Sequence, residues 1–266
     1  MYINLIKVLI ILSAIIILFL SLRYYINEFF TDKNNIKNNY KNFSNNIDKF
    51  VNKKKYVLIF SGGPSLRNFK KSDIPKKVWD NCHIISVKNA INFLHDKGIK
   101  SNFLLTNFGG AWGRINHKKI HKDTITIGLN IFNKINLDNI DHMINLNWNK
   151  NSMKLVKENK KGLEFTIKDN TMTTNWGHIM MELAIPLSIY LKPKKIITIG
   201  WDVKNQKKYW DTAKELFSSW SHEDTIINEF SCYLHDYMKK HYNIEIFKIN
   251  KDSGIRIPLF DKNKHF

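Results

Sequence analysis

An α/β domain built on a mainly parallel sheet with helices on both faces is predicted by three observations. Short runs of β-branched and aromatic residues recur along the chain, helical stretches separate several of them, and the first run ends in a paired-glycine turn. The runs are nearly continuous in apolar character, the pattern of strands buried on both sides. The leading run is Tyr56-Val-Leu-Ile-Phe-Ser-Gly-Gly-Pro-Ser-Leu66. At its end Gly62 and Gly63 carry no Cβ, so backbone N–H groups can approach an anion closely, and a helix opening at Ser65 would add its dipole. A phosphate-bearing ligand is the expected occupant of such a turn.

Two segments precede this run. Leu5 to Leu22 is apolar except for Lys7, Ser13 and Ser21 and is long enough to cross a bilayer, which predicts a transmembrane anchor over residues 5–22. A cleaved signal peptide shares the pattern of a basic residue and an apolar core, but no small-x-small site follows, and Leu22-Arg23-Tyr24-Tyr25 reads as an interfacial belt. Arg23, Lys33, Lys37 and Lys41 follow the run whereas Lys7 and the α-amine precede it, which favours a cytoplasm-facing domain. Residues 23–55 are rich in Asn and Lys, with Phe43, Ile47 and Phe50 spaced on one weak helical face, and are expected to form a stalk; residues 56–266 form the globular domain.

After the glycine turn, strands are expected at His83–Val87, Asn102–Thr106, Thr124–Gly128, His142–Leu146, Lys195–Ile199 and Ile244–Ile249, and helices at Thr174–Leu191 and Ile226–His241. Parallel sheets bind ligands beyond the carboxyl ends of their strands. Those ends carry Ser61-Gly62-Gly63, Lys88-Asn89, Thr106-Asn107 and Gly200-Trp201-Asp202. Basic and aromatic side chains interleave between Asn205 and His222, as in a lid that orders over an anionic substrate.

A chain of 266 residues supports one sizeable core. The formal net charge of +19 is almost entirely lysine, scattered from end to end, and the arginines are only Arg23, Arg67, Arg114 and Arg256. Base edges and bidentate phosphate contacts favour guanidinium, so nucleic acid is not the expected partner. Two cysteines, Cys82 and Cys232, make neither a zinc site nor a disulfide framework. The sequence has no Asp-x-Asp pair, no His-Glu-x-x-His and no EF-hand spacing, so no metal cofactor is expected. The opening turn lacks the Gly-x-Gly-x-x-Gly of dinucleotide binders and the Lys-Ser/Thr of a P-loop, and no serine sits in a Gly-x-Ser-x-Gly elbow.

In order and approximate spacing, Val57 to Leu66, a strand end at Asn89, then Asn107, Thr173-Thr-Asn-Trp-Gly177, Ile196-Ile-Thr-Ile-Gly-Trp-Asp202 and a His before the last long helix resemble the bacterial lipooligosaccharide sialyltransferases. The Gly-Pro-Ser turn is also similar to that of the related 6-hydroxymethylpterin diphosphokinase-like proteins. The resemblance spans Tyr56 to about Ile257. It implies one Rossmann-like nucleotide-sugar domain that transfers sialic acid from its CMP donor to a glycan hydroxyl, with inversion and without metal.

Carried over, the family's turn falls on Gly63, Pro64 and Ser65, with Gly62 in place of a donor-contacting asparagine. Asn89 and Asn107 match asparagines that close on the donor, and Thr173, Thr174 and Gly177 match a segment that holds it from a helix N-terminus. After the Gly-x-Asp strand end at Asp202, the family sets two tyrosines on the leaving phosphate; Tyr209 matches one, and Lys204 stands at the other, where an ammonium neutralises the same charge. The family's catalytic base falls on His222, about one helical turn further from the last helix than in the family pattern. An imidazole titrates near neutral pH and can take the acceptor's proton. His178 and His235, on expected helices, read as packed or solvated. The alternatives are a pterin-diphosphokinase-like enzyme and a degenerate nucleotide-binding domain kept as a membrane-tethered interaction module.

Overall fold

β1 (Tyr56–Phe60) sends alternate side chains into two cores, as the period of a strand requires. Val57 and Ile59 pack on one face, and Leu58 and Phe60 on the other. The computed structural model describes residues 43, 45–107, 114–130, 140–146, 171–172, 179–202 and 221–264. Seven further strands join β1: β2 (Cys82–Val87), β3 (Phe103–Asn107), β4 (Ile125–Asn130), β5 (His142–Leu146), β6 (Thr171–Met172), β7 (Lys195–Ile199) and β8 (Glu245–Lys248). They form one sheet in the order β6-β5-β4-β3-β2-β1-β7-β8, with all seven pairings parallel. The expected parallel α/β fold is therefore present. Every strand forecast from its apolar run is found to within a residue or two at each end, and β6, two residues long, is too short to have a readable period.

Helices cover both faces. On the Leu58/Phe60 side, α1 (Ala90–Asp96) buries Ala90, Phe93 and Leu94 beside Leu66, Phe69 and Val78. On the Val57/Ile59 side lie a π-helical turn, Met180–Ala184, the α2 helix (Ile185–Leu191) that continues it, and α3 (Ser221–Tyr242), which contributes Leu234, Tyr237 and Met238. The π turn widens the ladder just ahead of Pro186, which has no N–H to donate. Cys82 is buried and Cys232 exposed, and no disulfide joins them. Burial pushes the Cys82 thiol up to about 12, so it is inert.

Leu5–Leu22 lies outside the described residues, and among those described no helix is long and apolar enough to cross a membrane. The end of the expected stalk packs on the domain. Phe43 and Ile47 are buried in the larger core, and Phe50 packs against it. The Phe43 ring meets His142 edge-on at 5.0 Å, Phe50 meets His83 at 5.3 Å and Phe103 at 4.9 Å, and Asn52 N–H donates to Leu191 C=O at 3.1 Å. The weak helical spacing of Phe43, Ile47 and Phe50 thus marks a face that seats on the sheet.

His83 and His142 are 4% and 8% exposed, and burial holds both below the usual imidazole pKa. Protonation therefore favours the unfolded chain: their contribution is whole above about pH 6.5 and is lost as pH falls below it. Unfolding by denaturant at neutral and at mildly acidic pH is expected to show this loss. A variant with both histidines replaced by Gln is expected to have a flatter pH dependence; an unchanged slope would refute the assignment.

Candidate functional site

β1 has β2 on one side and β7 on the other, so the chain reverses its direction of travel across the sheet between β1 and β7. In open α/β sheets, ligands bind beyond the carboxyl ends of two such strands. Phe60 and Ile199 are paired at those ends, and the turns that follow them lie against each other. Ser61 N–H donates to Ile199 C=O at 2.8 Å, and Gly63 N–H to Gly200 C=O at 2.9 Å. Gly200 adopts φ +71° and Gly63 has no room for a side chain, because a Cβ there would stand 2.5 Å from both Gly200 O and Asp202 Oδ2.

Asp202 joins the two turns. Its Oδ2 accepts from the Ser65 N–H at 2.7 Å and its Oδ1 from the Ser65 hydroxyl at 2.6 Å. The residue is part-buried, and desolvation pushes its carboxyl above the usual range; the two Ser65 bonds and the positive charge of Lys248 pull the other way, and Asp252 adds to the rise. The expected helix at Ser65 is a five-residue 3-10 turn, Pro64–Asn68. Its amide and hydroxyl meet an anion, and that anion is the Asp202 side chain.

A loop that the sequence reading passed over closes the back of this arrangement. Lys248 Nζ, at the carboxyl end of β8, donates to Ser253 C=O at 2.8 Å and Ile255 C=O at 2.7 Å. Ser253 Oγ donates to Trp201 C=O at 2.6 Å, and Asn250 Nδ2 to Ser65 C=O at 3.3 Å. Arg256 N–H donates to Ser231 Oγ on α3 at 2.8 Å, so the same loop holds the helix that carries His222. The rule that pointed to the other strand ends applies equally to β8, and taking it one strand further identifies Lys248 and Asn250.

Gly62, Gly63, Pro64, Ser65 and Asp202 are thus brought together. Asn89, 2% exposed, follows β2 and leads into α1, and Asn107 is the last residue of β3. Each stands one strand further from the β1 end, about 5 Å and 10 Å away laterally. His222 is the second residue of α3 and so lies inside the helix that was expected to begin after it; its side chain is outside the described residues. Thr173, Thr174, Gly177, Lys204 and Tyr209 fall outside them as well. His235, on α3, is packed: its Nδ1 is 2.9 Å from Ile246 C=O and its ring lies 5.4 Å from that of Phe247.

Asp202→Ala leaves the Ser65 N–H and hydroxyl without their acceptor and is expected to cost about 2–3 kcal/mol, whereas Asp202→Asn keeps one acceptor and costs less. Equilibrium unfolding of the two variants checks the order, and equal losses would show that the carboxylate does not clamp the turn.

A family model described as 6-hydroxymethylpterin diphosphokinase MptE-like matches residues 33–208. No curated protein matches the chain. Among solved structures, the MAf glycosyltransferase from Magnetospirillum magneticum AMB-1 is similar at 14% identity and a TM-score of 0.48, over 81% of this chain and 35% of that one. This chain therefore spans about a third of its length. The sialyltransferase CstII from Campylobacter jejuni, in complex with the substrate analogue CMP-3FNeuAc, is similar at 17% identity and a TM-score of 0.47, over 80% of this chain and 89% of that one.

Proposed function

The chain belongs to the 6-hydroxymethylpterin diphosphokinase MptE-like family, and from that premise we propose that it is a transferase that takes a nucleotide-activated donor at the carboxyl ends of β1 and β7. The observation that carries this reading is the pair of glycine turns docked on each other at the point where the strand order reverses. Within it, the motif pattern supports an inverting, metal-independent glycosyltransferase of sialyltransferase type, with CMP-sialic acid as donor and a glycan hydroxyl as acceptor. The turn Gly62 to Ser65, braced by Gly200 and Asp202, forms the floor against the nucleotide, which Thr173 to Gly177 hold, with Asn89 and Asn107 beside it. The acceptor oxygen bonds to the anomeric carbon while the bond from that carbon to the phosphate oxygen breaks, and the electron pair leaves with CMP. Lys204 and Tyr209 receive the negative charge, and the acceptor's proton passes to His222. The apolar run Leu5–Leu22 tethers this domain to a membrane, facing the cytoplasm.

The family match favours a second reading, in which diphosphate is transferred from ATP to a pterin hydroxyl. The test is thermal unfolding of the full chain against CMP, CMP-sialic acid, UDP-sugars and ATP, with and without EDTA or magnesium. A ligand at a hundred times its Kd contributes about 2.7 kcal/mol. Stabilisation by CMP and its sugar conjugate that survives EDTA is the expected result. A response to ATP only with magnesium selects the diphosphokinase, and no response from a folded protein leaves the tethered interaction module.

A further inference from the structure

Many of the lysines scattered through the sequence lie together at one end of the sheet. All pairings are parallel, so all strand starts share one end of the sheet, opposite the candidate site. Lys53, Lys54 and Lys55 lead into β1, and Lys76 and Lys77 stand on the helical turn before β2. Lys192, Lys194 and Lys195 lead into β7, and Lys239 and Lys240 end α3 just before β8. Direct contacts weld these into one surface. Lys194 N–H donates to Lys55 C=O at 2.8 Å and Glu245 N–H to Lys194 C=O at 3.1 Å, while Lys54 Nζ donates to Asp80 C=O at 2.9 Å. The acids at this end include Asp48, Asp80, Asp123, Asp141 and Glu245; Asp123 pairs with Lys100 at 2.7 Å and Glu245 with Lys195 at 3.3 Å. Near the site end both signs are interspersed, with Lys251 beside Asp252, Asp261 beside Lys262 and the Lys70 N–H bonded to Asp73, and Lys88, Lys248 and Lys264 there too.

The described arginines are elsewhere. Arg67 is on the turn after β1, the Arg114 carbonyl accepts from Asn92 on α1, and Arg256 follows β8. The basic face therefore consists of ammonium groups, which are strongly hydrated point charges suited to a diffuse anionic layer and not to base edges or bidentate forks. The chain also arrives at this end. Phe43 sits on His142, the first residue of β5; Phe50 on Phe103, the first of β3; and Lys55 N–H donates to Asn81 Oδ1, just before β2. The apolar run Leu5–Leu22 is thus upstream of a segment that enters through the lysine face.

We propose that the amino-end face of the sheet docks on a bilayer surface rich in anionic phospholipid headgroups, so that the carboxyl ends of β1 and β7 face away from the membrane. Each lysine near such a surface adds to the attraction, and salt weakens it over a Debye length. The orientation follows from the parallel topology: the ends that collect charge and the ends that collect ligand are opposite by construction.

The test uses the full chain reconstituted into vesicles of phosphatidylcholine alone or of phosphatidylcholine with phosphatidylglycerol, treated with a membrane-impermeant amine-acylating reagent and read by mass spectrometry. The readout is the labelling rate of Lys53, Lys55, Lys76 and Lys194 relative to Lys251, Lys262 and Lys264 in the same molecules. On anionic vesicles this ratio is expected to fall about threefold or more, because a negative surface both covers the amines and keeps them protonated, and high salt is expected to restore it. Equal ratios on the two vesicle types would overturn the proposal, as would protection by single-stranded RNA in the absence of protection by anionic vesicles. A Lys53→Gln, Lys55→Gln, Lys76→Gln and Lys77→Gln variant is expected to lose the protection of Lys194. No donor or acceptor enters the measurement, so its outcome is independent of the transferase reading.

Discussion

Gly200→Ala is expected to destabilise the protein by about 2–5 kcal/mol, the sum of a left-handed backbone angle and an overlap that cannot relax. Gly200 has φ +71°, and a Cβ built there would lie 2.2 Å from Ser61 O and 3.1 Å from the Leu66 Cβ. The obstructing atom is backbone, and its residue is itself held by the Ser61 N–H bond to Ile199 C=O. Relief therefore requires the two turns to separate, which also pulls Asp202 from Ser65. Gly98 provides the control: its φ is +63°, but nothing lies within 4 Å of its added Cβ. Gly98→Ala is expected to cost only the backbone term, about 1–2 kcal/mol. Denaturant midpoints at unchanged m value measure both, and equal losses at the two glycines would sink the account.

His222→Ala is expected to lower kcat about a hundredfold to ten-thousandfold while donor affinity stays the same, the signature of a lost general base. His222 is in the first turn of α3. In the parent, activity is expected to rise with pH on the acidic side, because a general base acts only in its deprotonated form. The variant should lack this limb. His235, on the same helix, supplies the contrast. Its ring is committed to Ile246 C=O and to packing on Phe247, so His235→Ala should cost stability and leave the pH profile in place. Full transfer activity in His222→Ala would remove the assignment.

Much of the fold was legible from local pattern. Val57 to Phe60 reads as a strand buried on both faces because all four residues are apolar, and the sheet places them alternately in two cores. The glycine turn at Gly62 and Gly63 was legible because the absence of a Cβ has a local steric meaning. The part-buried Asp202 could be named as a strand-end residue, but not as the partner of Ser65. The two are separated by 137 positions, and no local spacing encodes a hydrogen bond of that span. Lys248, Asn250 and Ser253 were missed for a related reason: each acts through a carbonyl of a distant turn, and side-chain type alone does not announce a backbone acceptor.

The stalk is the clearest case of tertiary context overriding composition. Asn and Lys dominate residues 23–55, which reads as solvated chain, yet Phe43, Ile47 and Phe50 find a seat along the strand starts. Three apolar side chains in a polar segment carry too little periodic signal to predict burial, but they suffice once a sheet offers a complementary surface.

By itself the sequence determined the succession of strands and helices, the parallel class of the sheet and the glycine turn at the end of the first strand, since each follows from steric and hydrophobic rules acting over a few neighbouring residues. Only the tertiary structure decided that the anion meeting Ser65 is Asp202, that the segment from Phe43 belongs to the core, and that many of the lysines spread along the chain share one end of the sheet. Those outcomes depend on which strand ends lie side by side, and that is set by packing of the whole sheet.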